Sequence, residues 1–208
     1  MKKLFVIIDN GHGESTPGKC SPDKELQEWS WTRDLAERLQ KELRNVNIDS
    51  HRIVPETTDI SLSERVHRAN NIARKAMDRG EVPVLISIHL NAAGNSNRWC
   101  NAQGFCSYIA PKAGEYSKVL ANIFCDYASY LGLAGNRSIP SNHYWIGDFS
   151  ILKNTICPAI ITENMFMDNV VDKAFLMSED GRKLITVLHV SALQRFLQYI
   201  QKTNENAT

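Results

Sequence analysis

Residues 4–13 read LFVIIDNGHG, a short apolar run that ends in a polar, glycine-rich loop. An apolar run of this length, bounded by a loop, is typical of a strand buried on both faces. A second run of the same character, VLISI at 84–88, is followed by HLN at 89–91. Further apolar segments predict two more strands at 104–109 and 159–162.

Helical patterns alternate with these strands. An apolar residue recurs at every fourth position across residues 31–43, and charged residues fill the other face. Ser61 and Glu64 have the spacing of a capping box, which predicts a helix from there to about residue 79. A further helix is predicted at 115–130, and a long amphipathic one is marked by apolar residues from 184 to 200. This alternation predicts an α/β fold, a single layered domain with a mainly parallel twisted sheet flanked by helices on both faces.

The length and charge of the chain restrict its class. Its 208 residues fit one domain, expected to span 1–202 and to be followed by a disordered polar tail at 203–208. With 24 basic and 23 acidic residues, the chain has a net charge of +1, so we expect no nucleic-acid partner. No stretch approaches the roughly 20 apolar residues of a membrane-spanning helix, so we expect no integral membrane segment. We also expect a monomer.

The N-terminus resembles the start of an export signal only superficially. Two lysines precede the apolar run at 4–8, which is shorter than the roughly 7–15 residues of a signal peptide core. We therefore expect no export signal and synthesis in the cytoplasm.

Polar side chains follow three of the predicted strands. His12 follows the first strand, His89 the second and Glu163 the late one, while Glu25 and Glu28 precede the first helix. In open α/β sheets, ligand sites collect at the carboxyl ends of the strands. Two imidazoles and one carboxylate can form a zinc site with one position open for water, and a further carboxylate can act as general base. On this reasoning alone, either glutamate before the helix can serve as the carboxylate ligand.

A set of five motifs resembles the zinc-dependent N-acetylmuramoyl-L-alanine amidases of the cell-wall hydrolase type. The motifs occur in the family's order and cover residues 4 to 200: IDNGHG at 8–13, Glu28 ahead of RDLA at 33–36, LSER at 62–65, SIHLNA at 87–92 and PAIITE at 158–163. The resemblance implies that His12, Glu28 and His89 bind one Zn²⁺ per chain and that Glu163 is the catalytic carboxylate. The spacing from Glu28 to the RDLA motif favours Glu28 over Glu25. The chain differs from the family in having Asn-Met, rather than a small residue, directly after the catalytic glutamate.

The resemblance implies an activity on the bacterial cell wall. The expected reaction is hydrolysis of the amide between the lactyl group of N-acetylmuramic acid and L-alanine, in peptidoglycan or a muropeptide. Three residues are candidates for substrate binding. Asn91 follows a predicted ligand closely, Arg65 can contact a substrate carboxylate, and His143 lies in a long irregular segment at 135–149 that is a candidate lid.

Three rival functions make different demands on the sequence. A cysteine peptidase needs a thiolate beside a base, whereas the five cysteines are irregularly spaced and form no C-x-x-C pair, so we expect free, inert thiols. A non-catalytic wall-binding module would lose one or more of the metal and acid positions, and all four are present here. A zinc carboxypeptidase would present a close His-x-x-Glu pair, and the sequence contains none.

Overall fold

One six-stranded sheet organises the computed structural model, which describes residues 2–94 and 97–205. The strands are β1 (Leu4–Asn10), β2 (Asp49–Arg52), β3 (Val82–Asn91), β4 (Cys106–Ile109), β5 (Trp145–Ile146) and β6 (Ala159–Phe166). The helices are α1 (Glu28–Asn45), α2 (Leu62–Asp78), α3 (Glu115–Tyr130), α4 (Ser150–Asn154), α5 (Val170–Met177) and α6 (Glu179–Glu205).

The strands lie in the order β2-β1-β3-β6-β4-β5, with the three longest at the centre. Every neighbouring pair is parallel except β4 and β6, which run antiparallel. The prediction of a mainly parallel sheet is therefore confirmed. Because β1, β3 and β6 are parallel neighbours, their carboxyl ends meet at one edge of the sheet, which is where the candidate site lies.

Helices cover both faces of the sheet, as predicted. On one face, α1, α3 and α6 pack against alternate residues of the central strands, such as Ile8, Ile88 and Ile160. On the other face, α2 and α4 pack against the intervening residues, including Ile7 and Leu85. Burial of both faces explains why the central strands read as continuous apolar runs rather than alternating ones. Within the described part of the chain, no helix combines the length and apolar character needed to cross a membrane.

The predicted start of α2 is confirmed. The Ser61 hydroxyl accepts a hydrogen bond from the Glu64 amide at 3.3 Å, but the Glu64 carboxylate binds Arg68 instead of completing the capping box. The helix ends just before Gly80, which has a φ of +74°. Glycine reaches this left-handed conformation at little cost, so it is well suited to end a helix.

Several elements differ from the prediction. Strands β2 and β5 and the helices α4 and α5 were not predicted, and β6 continues four residues past residue 162. Helix α6 continues to Glu205, so residues 203–205 of the predicted tail are helical, and residues 206–208 lie outside the described residues.

Candidate metal centre

His12, Glu28 and His89 converge at the carboxyl edge of the sheet. One ligand atom from each lies within 4.8 Å of the others. The Glu28 Oε1 atom is 3.4 Å from His12 Nε2 and 3.1 Å from His89 Nδ1. The two imidazole rings lie edge to face, 4.9 Å apart at their centroids. The structure thus brings together the three residues that the sequence analysis assigned to zinc.

Sheet pairing explains how the two histidines meet. The Gly11 amide donates to the Ile88 carbonyl at 2.9 Å, so the chain stays against β3 for one residue beyond the end of β1. His12 follows with a φ of +59°, a conformation that turns the chain away from the sheet. His89 lies on β3 beside this turn, so its ring faces that of His12.

Glu28 reaches the site from the first position of α1. Its Oε1 atom also accepts the Leu90 amide at 3.0 Å, beyond the last residue pair between β1 and β3. The whole residue is 1% exposed. The alternative ligand Glu25 points elsewhere, because its carboxylate forms an ion pair with Lys173 of α5. Of the two glutamates, only Glu28 joins the histidines.

Glu163 lies directly beside the cluster. It is the residue of β6 paired with His89 of β3, so the two side chains share one face of the sheet at adjacent strands. Burial raises the pKa of Glu163 to about 7, against a smaller lowering effect from His89. A carboxyl group with a pKa near neutrality can both accept and donate a proton at physiological pH.

Burial and charge also set the protonation of the cluster. Burial lowers the pKa of His12 to about 4, so its imidazole is neutral at pH 7 and can donate a lone pair to a metal. Burial also acts to lower the pKa of His89, but the hydrogen bond and charge of Glu28 outweigh it and raise that pKa. For Glu28 burial is the largest effect and favours the neutral acid, yet the two histidines together hold its pKa below the usual value.

Arg65 holds the His12 loop in place. Its guanidinium is 3% exposed and donates to Asp9 and to the carbonyl of Asn10, both at 2.7 Å, and to the His12 carbonyl at 3.0 Å. Its remaining donors face the Ile60 carbonyl and the Asp59 carboxylate. All five donors of the guanidinium are therefore used within the protein. None remains for a substrate carboxylate in this arrangement, so the structure places Arg65 as a support of the His12 loop. A role in substrate binding stays a prediction for Arg65.

The other two predicted substrate contacts lie in different places. Asn91 is half-buried two residues after His89, on the same face of the sheet, and its side chain donates to the Cys106 thiol at 3.3 Å. A role in substrate binding stays a prediction for Asn91. His143 is exposed and binds Asp126 of α3 at 3.0 Å, in a pocket that shares no residue with the metal cluster. The structure does not bring His143 to the site.

Sequence analysis missed two residues that shape the cluster. Gly11 packs so closely against His89 that an added Cβ atom would lie 2.3 Å from the ring carbon Cε1. Asn164 donates from its side chain to the His89 carbonyl at 3.0 Å, and the following Met165 has a φ of +68°. The Asn164-Met165 pair, which stands where the amidases that the sequence resembles have a small residue, thus coincides with an irregularity of the β3–β6 pairing. Gly11 lies within the IDNGHG motif, so the sequence could have indicated its importance, whereas nothing in the sequence indicated the Asn164 contact.

A cleft of about 480 Å³ opens over the cluster and is bordered by His12, His89 and the first turn of α2. A larger cavity of about 790 Å³ lies around Ala159 and the N-terminus of α3. None of the three convergent residues lines it. The chemistry of the lining, rather than the volume, identifies the smaller cleft as the candidate site.

The thiols do not form a rival site. All five cysteines are free. Burial raises the pKa of Cys106 and of Cys157 to about 12, so both remain protonated and poorly nucleophilic at neutral pH. Cys106 lies next to Glu163, whose negative charge disfavours a thiolate further.

The residues present fit a zinc ion. Two imidazole nitrogens and one carboxylate are the donor set of a three-ligand catalytic zinc site. In addition, Glu28 Oε2 and Glu163 Oε2 are buried and have no hydrogen-bond partner among the described residues. Buried carboxylate oxygens without partners are rare in folded proteins and indicate a missing cation or water.

Comparison with known proteins agrees with this geometry. A sequence profile described as N-acetylmuramoyl-L-alanine amidase matches residues 6–195. The chain is 28% identical to the sporulation-specific N-acetylmuramoyl-L-alanine amidase of Bacillus subtilis, covering 99% of this chain and 72% of that protein. It is 29% identical to the amidase CwlM of Bacillus licheniformis, covering 94% and 68%. Among solved structures, the amidase Ami1 of Mycobacterium smegmatis has the same fold, with a TM-score of 0.80, 17% identity, and coverage of 95% of this chain and 98% of that one.

Proposed function

The chain belongs to the N-acetylmuramoyl-L-alanine amidase family of hydrolases, and on that premise we propose the reaction in detail. With one zinc ion per chain, it cleaves the amide between the lactyl group of N-acetylmuramic acid and the L-alanine of the peptidoglycan stem peptide. The observation that carries this proposal is the convergence of His12, Glu28 and His89 beside the carboxylate of Glu163.

The three predicted metal ligands and Glu163 have different roles in this proposal. His12, Glu28 and His89 hold the metal. Zinc bound to such a set supplies a Lewis acid that activates water for attack on an amide carbonyl. Glu163 accepts a proton from the attacking water and delivers it to the leaving nitrogen of L-alanine. The water's hydroxyl group ends on the lactyl carbon, so the products are a lactyl carboxylate and a stem peptide with a free amino group.

The chemistry requires no nucleophilic side chain. This agrees with the high pKa of the buried thiols nearest the site. It also agrees with a pKa of about 7 for Glu163, which suits a residue that takes and returns a proton within one turnover.

The test separates binding of the metal from transfer of the proton. Glu163→Gln keeps the shape of the side chain but cannot accept a proton, so we expect full zinc content and a loss of turnover of about 10²–10⁴-fold. Glu28→Ala should lose zinc and, as a consequence, activity. Glu25→Ala is the matched control, since this neighbouring carboxylate lies outside the cluster, and it should keep both.

Zinc content is measured by elemental analysis, and products of digested sacculi by mass spectrometry. The expected products are intact glycan strands and stem peptides with a new L-alanine amino group. Shortened sugars, internally cleaved peptides, full activity after removal of metal, or an active Glu163→Gln variant would each contradict the proposal.

A further inference from the structure

Arg137 lies in the segment between α3 and β5, close to the candidate site. Its guanidinium carbon lies 4.9 Å from the ring centroid of Trp145 and 5.4 Å from that of Phe166. Cation–π contacts with two rings fix the plane of a guanidinium and leave its edge available for hydrogen bonds. Phe166 is the last residue of β6, three positions after Glu163. The side chain of Arg137 is therefore held in a defined orientation beside the catalytic strand.

The contacts of Arg137 bring its charge next to the metal cluster. Its Nη1 atom donates to the Cys106 thiol at 3.3 Å, and Cys106 is the β4 residue paired with Glu163. Directly paired residues of antiparallel strands project from the same face of a sheet. Asn91, two residues after His89, donates to the same thiol from the other side. Arg137 thus lies one side chain away from both Glu163 and the β3 end of the cluster.

Arg137 lacks a carboxylate partner among the described residues. Its Nη1 atom donates to the Cys106 thiol, and its guanidinium also interacts with the Tyr108 phenol, both of them neutral. The Glu163 carboxylate is near enough for the charge of Arg137 to lower its pKa, but the two form no ion pair. The thiol is a weak acceptor. By contrast, Arg38, Arg65 and Arg68 all form ion pairs with Asp or Glu side chains. A half-buried guanidinium that forms no ion pair with a described residue, held close enough to Glu163 for the two charges to interact, can receive an anion from outside the chain.

We propose that Arg137 binds a free carboxylate of the stem peptide, on the residue that follows L-alanine. This inference rests on the proposed function. A planar carboxylate matches the fork of the guanidinium and can accept two hydrogen bonds from it. Arg137 thereby selects substrates by charge at one position beyond the scissile bond, while the metal cluster holds the reacting amide.

The test compares two soluble substrates that differ in one group. Both are N-acetylmuramoyl dipeptides beginning with L-alanine, and their second residue has a single carboxylate, which is free in one compound and amidated in the other. Wild-type protein is expected to prefer the free acid. Arg137→Gln should lower kcat/KM for the free acid by about 10- to 100-fold, mainly through KM, and leave the amide nearly unaffected, because one charge-assisted contact is removed.

Two further variants control for charge and for folding. Arg137→Lys keeps the charge without the planar fork, so we expect an intermediate preference. Arg195→Ala removes an exposed arginine of α6 whose side chain donates to Gln198, and it should retain the wild-type preference. Thermal unfolding of each variant identifies any that fails to fold.

Binding measured without turnover tests the contact independently of the reaction. Calorimetry of both dipeptides is performed on Glu163→Gln and on the double variant Glu163→Gln/Arg137→Gln. Selective loss of affinity for the free acid in the double variant supports the inference whether or not the wild type cleaves either compound. Failure of the proposed function is detected separately, by the sacculus digests. Equal losses for the two dipeptides, or no loss for either, would overturn the role of Arg137.

Discussion

Gly11 controls the position of His89, a predicted zinc ligand, by packing against its ring. The absent side chain makes room for the His89 imidazole, since a Cβ atom at Gly11 would come within 2.3 Å of Cε1 and 2.5 Å of Nδ1. The same Nδ1 atom faces Glu28. The glycine between Asn10 and His12 is therefore required by packing against an imidazole, and its backbone freedom is a secondary matter.

Gly11→Ala is expected to displace the His89 ring and weaken zinc binding. Changes to residues that orient metal ligands commonly reduce affinity or activity by about 10–100-fold, and we expect a loss in that range. Competition against a chromophoric chelator measures the affinity. Gly114→Ala is the control, because a Cβ atom at Gly114 meets nothing within 4 Å. Wild-type zinc affinity in Gly11→Ala would show that the ring can shift without consequence.

At the scale of elements, α2 supports the site although it supplies no ligand. Through Arg65, the helix binds Asp9 at the end of β1 and the carbonyls of the His12 loop. Asp9 is itself buried and also accepts a hydrogen bond from Ser87 of β3. This buried pair connects the helix, two strands and the loop that carries His12, a predicted metal ligand.

Arg65→Ala is expected to destabilise the fold by about 3–5 kcal/mol, because it leaves the Asp9 carboxylate buried without its cation. Zinc affinity should fall as well, since the His12 loop loses its support. Arg52→Ala, which breaks the exposed pair with Glu37, is the control and should cost about 0–1 kcal/mol. Urea unfolding measures both. An Arg65→Ala protein of normal stability with only a raised KM would instead favour a substrate contact.

The sequence predicts the central elements and the ligands better than the edges. Strands β1, β3 and β6 are apolar on both faces, so their runs are visible, and the polar residues that follow them necessarily meet at one edge. Strand β2 reads DSHR and has exposed side chains, so no hydrophobic pattern marks it. The antiparallel direction of β4 depends on how its connections cross the sheet, which local patterns do not encode.

The residues that support the site also could not be predicted from local sequence patterns. The contacts that decide the roles of Arg65 and Arg137 join residues 20 or more positions apart in sequence: Arg65 binds Asp9, and Arg137 contacts Cys106 and Phe166. The contacts of Arg65 with Asp59 and of Arg137 with Trp145 are the exceptions. A helix-surface arginine and a loop arginine have ordinary sequence contexts. Only the assembled sheet shows that Arg65 is paired with a buried carboxylate and that Arg137 contacts a thiol and two aromatic rings instead.

For the molecule as a whole, the sheet separates two environments. At the carboxyl edge, one face carries the His12, Glu28 and His89 side chains. The opposite face packs against α6 through a buried contact between two neutral side chains, Thr162 and His189. His189 of α6 is fully buried there, with its Nδ1 atom 2.9 Å from the Ile185 carbonyl and its Nε2 atom 3.2 Å from the Thr162 hydroxyl. Thr162 directly precedes Glu163, so β6 is tied to the long C-terminal helix at this point.

His189 should make the stability of the whole fold depend on pH. Burial lowers the pKa of His189 from 6.5 to about 4, so the unfolded chain binds this proton more readily than the folded protein does. The contribution of the neutral side chain is therefore fully present above pH 6.5 and is lost as the pH falls toward 4, by an amount on the order of 3 kcal/mol. His189→Gln, which cannot be protonated in this range, should be less stable at pH 7 and should lose less stability on acidification.

The comparison uses metal-free protein, so that His12 contributes equally to both, and urea unfolding at several pH values gives the dependence of stability on pH for each protein. The exposed His51→Gln serves as control and should follow the wild type. Equal acid slopes for His189→Gln and wild type would mean that this buried imidazole does not link folding to protonation.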